Sequence, residues 1–184
     1  MALQVTPSQT IGPFFSIGLT WDDGAFAVPE GTGGAFWIRG RVTDGDGEPV
    51  PDAVIETWQA DPDGRYSHPD DPRADGGGFR GFARAPTDRD GAFAIHTVKP
   101  GPVPGAGGAT QAPHLAMSVF ARGLLNRVVT RVYFADEAER NAADPVLAGL
   151  HDDRRATLLA DPEDDGYRFD VRLQGADETV FFAV

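Results

Sequence analysis

Ala53-Val54-Ile55-Glu56-Thr57-Trp58-Gln59-Ala60-Asp61-Pro62-Asp63-Gly64-Arg65-Tyr66-Ser67-His68-Pro69 reads as a strand, a tight turn and a tyrosine set just beyond it. Val54, Ile55, Thr57 and Trp58 are β-favouring residues clustered between Ala53 and Ala60. Asp61-Pro62-Asp63-Gly64 then stops the strand, because Pro62 fixes φ, the Asp side chains bond nearby backbone, and Gly64 tolerates positive φ. Asp44-Gly45-Asp46-Gly47 and Asp88-Arg89-Asp90-Gly91 repeat the pattern. A helix-loop-helix calcium loop needs Gly at its sixth position and Glu at its twelfth. None of the three runs has either, so they read as strand connectors.

Outward from this stretch the alternation continues. Phe36 to Val42, Phe79 to Ala85, Ala92 to Val98, Leu115 to Arg122, Arg127 to Ala135, Tyr167 to Leu173 and Thr179 to Val184 all read as strands. In Ala92 to Val98, Phe93, Ile95 and Thr97 share one face and His96 takes the other. His114, Ala116, Ser118, Phe120 and Arg122 share one face of their strand; Tyr167, Phe169, Val171 and Leu173 point inward on theirs. Asp136 to Ala142 and Asp152 to Ala160 are the expected helices, each opened by an Asp that can accept from free amides. Lys99 to Pro113 is a long Gly/Pro-rich loop, of the kind that is usually functional or mobile. About eight strands suit a mostly β protein, a two-sheet antiparallel sandwich with short helices. Thr6 to Phe15 holds two prolines that restrict the residues before them, so an extended N-terminal arm over residues 1–20 is expected.

Composition narrows the class. The 184 residues fit one domain, 1–184, and 23 Gly with 15 Pro favour turns over a helical bundle. A formal net charge of -12 with no basic run disfavours nucleic acid and anionic membrane surfaces, so an anionic small molecule needs a specifically placed Arg. With no cysteine, disulfides and thiolate metal sites are excluded. No basic n-region precedes an apolar run and no 18 apolar residues stand together, so a soluble cytoplasmic protein is expected.

Glu56-Thr57-Trp58-Gln59-Ala60-Asp61 with Tyr66, Arg41-Val42-Thr43-Asp44 before it, and Thr97-Val98-Lys99-Pro100-Gly101 after it resemble the intradiol ring-cleaving dioxygenases, nearly end to end. That family holds Fe(III) with two tyrosinates and two histidines, a set suited to a hard trivalent cation. The resemblance places Tyr66 at the first tyrosine and His114 at the first histidine. It places Val103 where the second tyrosinate is needed and Ala116 where the second histidine is needed. Neither aliphatic residue coordinates a metal, so Tyr66 and His114 read as remnants of a degenerate site and this chain is expected to bind no metal alone. Tyr133 and Tyr167 sit inside alternating strands and read as core phenols; His68 and His96 read as surface or satisfied residues.

What the resemblance implies is therefore a subunit. It implies Fe(III) supplied by a homologous dioxygenase beta subunit in an alpha/beta hetero-oligomer, with protocatechuate, an aromatic acid, and O2 as substrates. It also implies that Thr10, Gly12 and Pro13 on the arm wall the partner's pocket, although Phe14 stands where the family more often has Tyr. Spacing alone leaves Arg122 open between a pocket residue and a solvated strand end; the resemblance makes it the catalytic arginine of the pocket, where a guanidinium stabilises a bound carboxylate. A self-sufficient intradiol dioxygenase and a non-catalytic β-sandwich binding module are the competing readings.

Overall fold

The computed structural model describes residues 10, 12, 14–74 and 78–183, apart from the side chains of residues 15 and 16. The chain is mostly β, as expected. Its strands are β1 (Phe36–Thr43), β2 (Val54–Trp58), β3 (Phe82–Pro86), β4 (Ala92–Thr97), β5 (Val103–Pro104), β6 (Thr110–Gln111), β7 (His114–Phe120), β8 (Val128–Phe134), β9 (Leu159–Glu163), β10 (Gly166–Arg168) and β11 (Val171–Arg172). Its α-helices are α1 (Phe14–Gly18), α2 (Ala138–Ala143) and α3 (Asp152–Ala156).

The strands form one ladder in the order β11-β1-β10-β9-β8-β7-β2-β3, with β4 on β1 and a separate β5–β6 pair. Pairing is mixed and not purely antiparallel: β1 runs parallel to β10 and β11, and β8 parallel to β9. Alternating strands explain the core. Leu115, Met117 and Val119 of β7, Ile55 of β2, Ile38 and Val42 of β1, and Phe93 and Ile95 of β4 bury together. Tyr167, Phe169 and Val171 join the same cluster, as their alternation predicts.

The three Asp-x-Asp-Gly turns share one geometry. Asp44 Oδ1 accepts from the amides of Asp46 and Glu48, Asp61 Oδ1 from Asp63 and Arg65, and Asp88 Oδ1 from Asp90 and Ala92. Gly47, Gly64 and Gly91 take φ of 86°, 75° and 70°. These carboxylates bond backbone amides, which is what connectors do.

Four expectations are corrected. The helix expected over Asp152 to Ala160 stops at Ala156, and Leu159–Glu163 is strand β9. Leu159-Ala160-Asp161-Pro162-Glu163 carries little β signal of its own; it is ordered by lying between β8 and β10. Thr179 to Val184 is not a strand over the described residues to 183. Val180 O and the Phe182 amide instead make single hydrogen bonds to Thr130 and Val129 on β8. Neither Asp136 nor Asp152 caps a helix: the capping positions are Glu137 and His151, without side-chain hydrogen bonds. Asp136 is taken by Lys99 Nζ and the Tyr167 hydroxyl, both at 2.8 Å. Lastly, Phe14 and Phe15, expected within an extended arm, instead open helix α1. Residues 1–9, 11 and 13 of the arm lie outside the described residues.

Candidate functional site

The Tyr66 turn is fixed from two sides. Asp61 accepts from Arg65 Nε at 2.9 Å, and its carbonyl accepts from the Gly64 and Gly101 amides. The turn thereby docks on the Lys99-Pro100-Gly101-Pro102 run. The approach is close: a Cβ on Gly64 would lie 2.2 Å from Pro102 O, and one on Gly101 2.4 Å from Pro62 O. Gln59, wholly buried, donates to Val98 O at 2.8 Å and accepts from Thr97 Oγ1, joining the end of β2 to the end of β4. The Tyr66 amide donates to Asp71 Oδ2 at 2.9 Å, and its ring stacks on Trp58 with centroids 6.2 Å apart and planes 9° apart. Hydrogen bonds from Arg73 hold Asp71 well below the usual carboxylate range.

Registers bring the other ligand positions to this end of the sheet. Ala116 faces Trp58 on β2 and Arg131 on β8, His114 faces Tyr133, and Val103 faces Gln111. Arg131 Nη1 donates to Gln111 Oε1 at 2.8 Å and to the Tyr133 hydroxyl at 3.0 Å. Tyr133 OH in turn donates to Asp144 Oδ1 at 3.3 Å. Asp144 is wholly buried and also accepts from the amides of Ala112, Val146 and Leu147. The guanidinium is thus seated among the residues that surround the Tyr66, Val103, His114 and Ala116 positions.

Burial dominates the electrostatics. It lowers His114 to about 4, with the Arg131 charge adding to the effect. The imidazole is therefore neutral near pH 7, and its Nδ1 donates to Ala112 O at 2.8 Å, which leaves Nε2 as the acceptor. Burial also raises Tyr66, against the opposing pull of Arg131, and pushes Tyr133 up to about 12. Both stay phenols at neutral pH.

These residues do not fit a ferric ion. Two of the four positions that the family resemblance assigns to ligands are aliphatic: Val103 is packed away from solvent and Ala116 has Arg131 as its cross-strand partner. Tyr133 is packed in the core as expected, its hydroxyl spent on Asp144, while Tyr167 bonds Asp136. His96 is buried with Nδ1 3.4 Å from Val28 O. His68 is exposed and lines an open cleft of about 510 Å³ with Trp58, Tyr66, Arg73 and Pro104. Among the described residues no group of three or more His, Asp or Glu is arranged to hold a metal.

Arg122 lies elsewhere. It follows the far end of β7, eight positions from His114, or about 26 Å along an extended chain. Its side chain is 63% exposed and its Nε is 3.3 Å from Asp52 Oδ2. Thr10 is exposed, and its Oγ1 accepts from the Gly12 amide at 3.1 Å; Pro13 lies outside the described residues. Sequence reasoning missed Arg131, Asp144 and Asp52. Arg131 was legible in part, as the outward residue of an alternating strand, but what it faces is set by a register that sequence does not give.

A β scaffold in which the Tyr66 turn docks on the Lys-Pro-Gly-Pro run, with the strand histidine beside it, is the scaffold of a dioxygenase. The chain belongs to the dioxygenase family, whose model matches residues 11–175. It is 44% identical to the protocatechuate 3,4-dioxygenase alpha chain of Burkholderia cepacia over 99% of this chain and 98% of that one. To the beta chain from the same organism it is 33% identical, over 77% of this chain and 65% of that one. Among solved structures it is similar to the dioxygenase domain of a carbohydrate-binding fusion protein from Streptomyces sp. SirexAA-E, with a TM-score of 0.62 and 26% identity, covering 94% of this chain and all of that one.

Proposed function

We propose that this chain is the alpha subunit of a protocatechuate 3,4-dioxygenase, lining the pocket in which a homologous beta subunit cleaves protocatechuate with O2 to 3-carboxy-cis,cis-muconate. The observation that carries the reading is the state of its own centre: it keeps the scaffold and half of the ligand set, yet has Val103, Ala116 and a seated guanidinium where the rest would be. Such a chain serves the reaction through a neighbour. Fe(III) then belongs to the beta subunit, and Tyr66 and His114 are remnants.

Arg122 is the catalytic arginine in this reading. Its distance from the chain's own centre suits a residue that serves a pocket outside it, and its exposure lets the guanidinium meet a carboxylate from solvent while its Nε pairs with Asp52. Thr10, Gly12 and Pro13 wall the same pocket. Residues 1–20 form the arm that docks on the partner; Phe14 and Ile17, 66% and 74% exposed on α1, are the apolar surface it brings. The arm's root is anchored, because Arg84 Nη1 donates to Leu19 O at 2.9 Å, the guanidinium lies 5.1 Å from the Trp21 ring centroid, and Glu56 pairs with it. Residues 1–184 act as one domain, whose core joins residues of β1, β4 and β10 to residues of β2, β3, β7 and β8. Among the described residues no helix is long and apolar enough to cross a membrane; a cytoplasmic location belongs to the proposed reading.

The test is the iron content and visible absorption of this chain purified alone, then of the chain mixed with its beta partner. A colourless, iron-free chain and a coloured, active mixture are expected. Stoichiometric iron with a tyrosinate-to-iron band in the chain alone would make it a self-sufficient dioxygenase, and failure to associate with any beta chain would leave a binding module.

A further inference from the structure

We infer that Asp52 is the residue that positions Arg122 for the substrate's carboxylate; the inference rests on the role given to Arg122 above. The register puts the two side by side. Val54 faces Phe120 in the antiparallel β2–β7 pair, and two steps further along each chain that facing relation reaches Asp52 and Arg122. The turn that carries Asp52 is held rigidly: Thr87 Oγ1 donates to Val50 O at 2.7 Å and accepts from the Ala53 amide at 2.9 Å, and the Thr87 amide donates to Ala53 O.

Asp52 is 7% exposed, and neither carboxylate oxygen has a hydrogen-bond partner among the described residues. A carboxylate withdrawn from water without partners is costly unless a cation answers it. The one that does is Arg122, whose Nε lies 3.3 Å from Oδ2, within ion-pair range but short of hydrogen-bond alignment. The contrast in exposure gives the arrangement its direction. A fixed, buried anion holds the Nε side of an exposed guanidinium, which leaves the two Nη groups as a fork for a second carboxylate. A rigid anchor behind a flexible cation lowers the ordering cost that the ligand must otherwise meet.

The experiment uses the assembled alpha/beta enzyme with Asp52→Asn, Arg122→Ala and the double variant. Asp52→Asn keeps shape and removes charge. KM for protocatechuate is expected to rise about tenfold with kcat changed less than about twofold, as for the loss of one charge-assisted contact made in ground and transition states alike. In the Arg122→Ala background the Asp52→Asn change is expected to add nothing. Additive effects, or a fall in kcat with unchanged KM, would make Asp52 merely structural and overturn the inference. If Arg122→Ala raises KM and Asp52→Asn does not, the inference falls alone; if Arg122→Ala leaves KM unchanged, the role of Arg122 falls and takes Asp52 with it. Asp52→Glu, which keeps the charge and displaces it by one methylene, is expected to give an intermediate KM and covers the case in which Asp52→Asn fails to assemble; a wild-type KM for Asp52→Glu in that case overturns the inference. The tyrosinate-to-iron band of each assembled variant should match the wild type.

Discussion

Ala116 and Arg131 face each other across the β7–β8 ladder, so the position that the family resemblance gives to a second imidazole has an arginine as its cross-strand partner. In the proposed reading, the degenerate centre therefore differs from a complete one by more than two ligands. A fixed cation, bonded to Gln111 and Tyr133, now stands where a trivalent ion would be repelled. Restoring Val103→Tyr and Ala116→His is expected to leave the chain with little iron. Adding Arg131→Gln to those two changes should raise iron uptake at least about fivefold, with a tyrosinate-to-iron band, since the like-charge repulsion is gone. Iron content by metal analysis decides it; equal uptake by the double and triple variants would show that Arg131 is no barrier.

Arg131 also holds its surroundings together. Its Nη1 serves both the Gln111 side chain and the Tyr133 hydroxyl, and Gln111 ties the small β5–β6 pair, with Val103, to β8. Arg131→Leu should cost about 1–3 kcal/mol, which for a chain of this size lowers Tm by roughly 2–12 °C. A thermal scan of the purified chain checks the size of the loss. No change in Tm would mean the hydrogen bonds to Gln111 and Tyr133 are replaced by water at no net cost.

Much of this architecture was legible in the sequence, and the misses share one physical cause. The Asp-x-Asp-Gly turns at Asp44, Asp61 and Asp88 announce themselves because local side-chain bonding and a positive-φ glycine are written in four residues. The strands around Ile55, Leu115 and Ile95 show in alternation because one face is buried. Leu159–Glu163 did not, because a proline-bearing strand borrows its conformation from β8 and β10. Asp136 was read as a helix cap because it stands where a cap would stand, while Lys99 and Tyr167, distant in sequence, claim its carboxylate. At the centre, Tyr66, Val103, His114 and Ala116 could be set against the family's ligand positions. The guanidinium among them, and the Asp52 that faces Arg122, depend on strand register, which residue identities alone do not fix.

His114 makes the chain acid-sensitive in a defined window. Burial holds its folded pKa at about 4, below the unfolded value near 6.5, so the unfolded chain binds the extra proton first. The contribution of neutral His114 is fully present above pH 6.5 and is lost as pH falls toward 4, amounting to about 3 kcal/mol across that window. Unfolding free energies at pH 7 and pH 4.5 should differ less in His114→Gln than in the wild type, by about 2 kcal/mol. Parallel pH profiles for the two proteins would mean that the buried imidazole is charged, or solvated, in the folded state.

Gly64 is the point at which the Tyr66 turn and the Lys99-Pro100-Gly101-Pro102 run are locked together. Its φ of 75° is strained for any residue with a Cβ, and a Cβ there would lie 2.2 Å from Pro102 O. Relief requires the two backbones to separate, which breaks the Gly101 amide bond to Asp61 O and loosens the stack of Tyr66 on Trp58. Gly64→Ala should therefore destabilise by about 2–4 kcal/mol, more than the roughly 1 kcal/mol of the φ strain alone. Gly47→Ala supplies the control, because Gly47 has the same turn geometry at φ 86° and no atom within 4 Å of its Cβ position. The expected result is a small loss for Gly47→Ala and a larger one for Gly64→Ala, with quenching of Trp58 fluorescence altered only in the latter. Equal losses would assign the whole effect to the turn, and would remove the close approach to Pro102 as the reason a glycine stands at position 64.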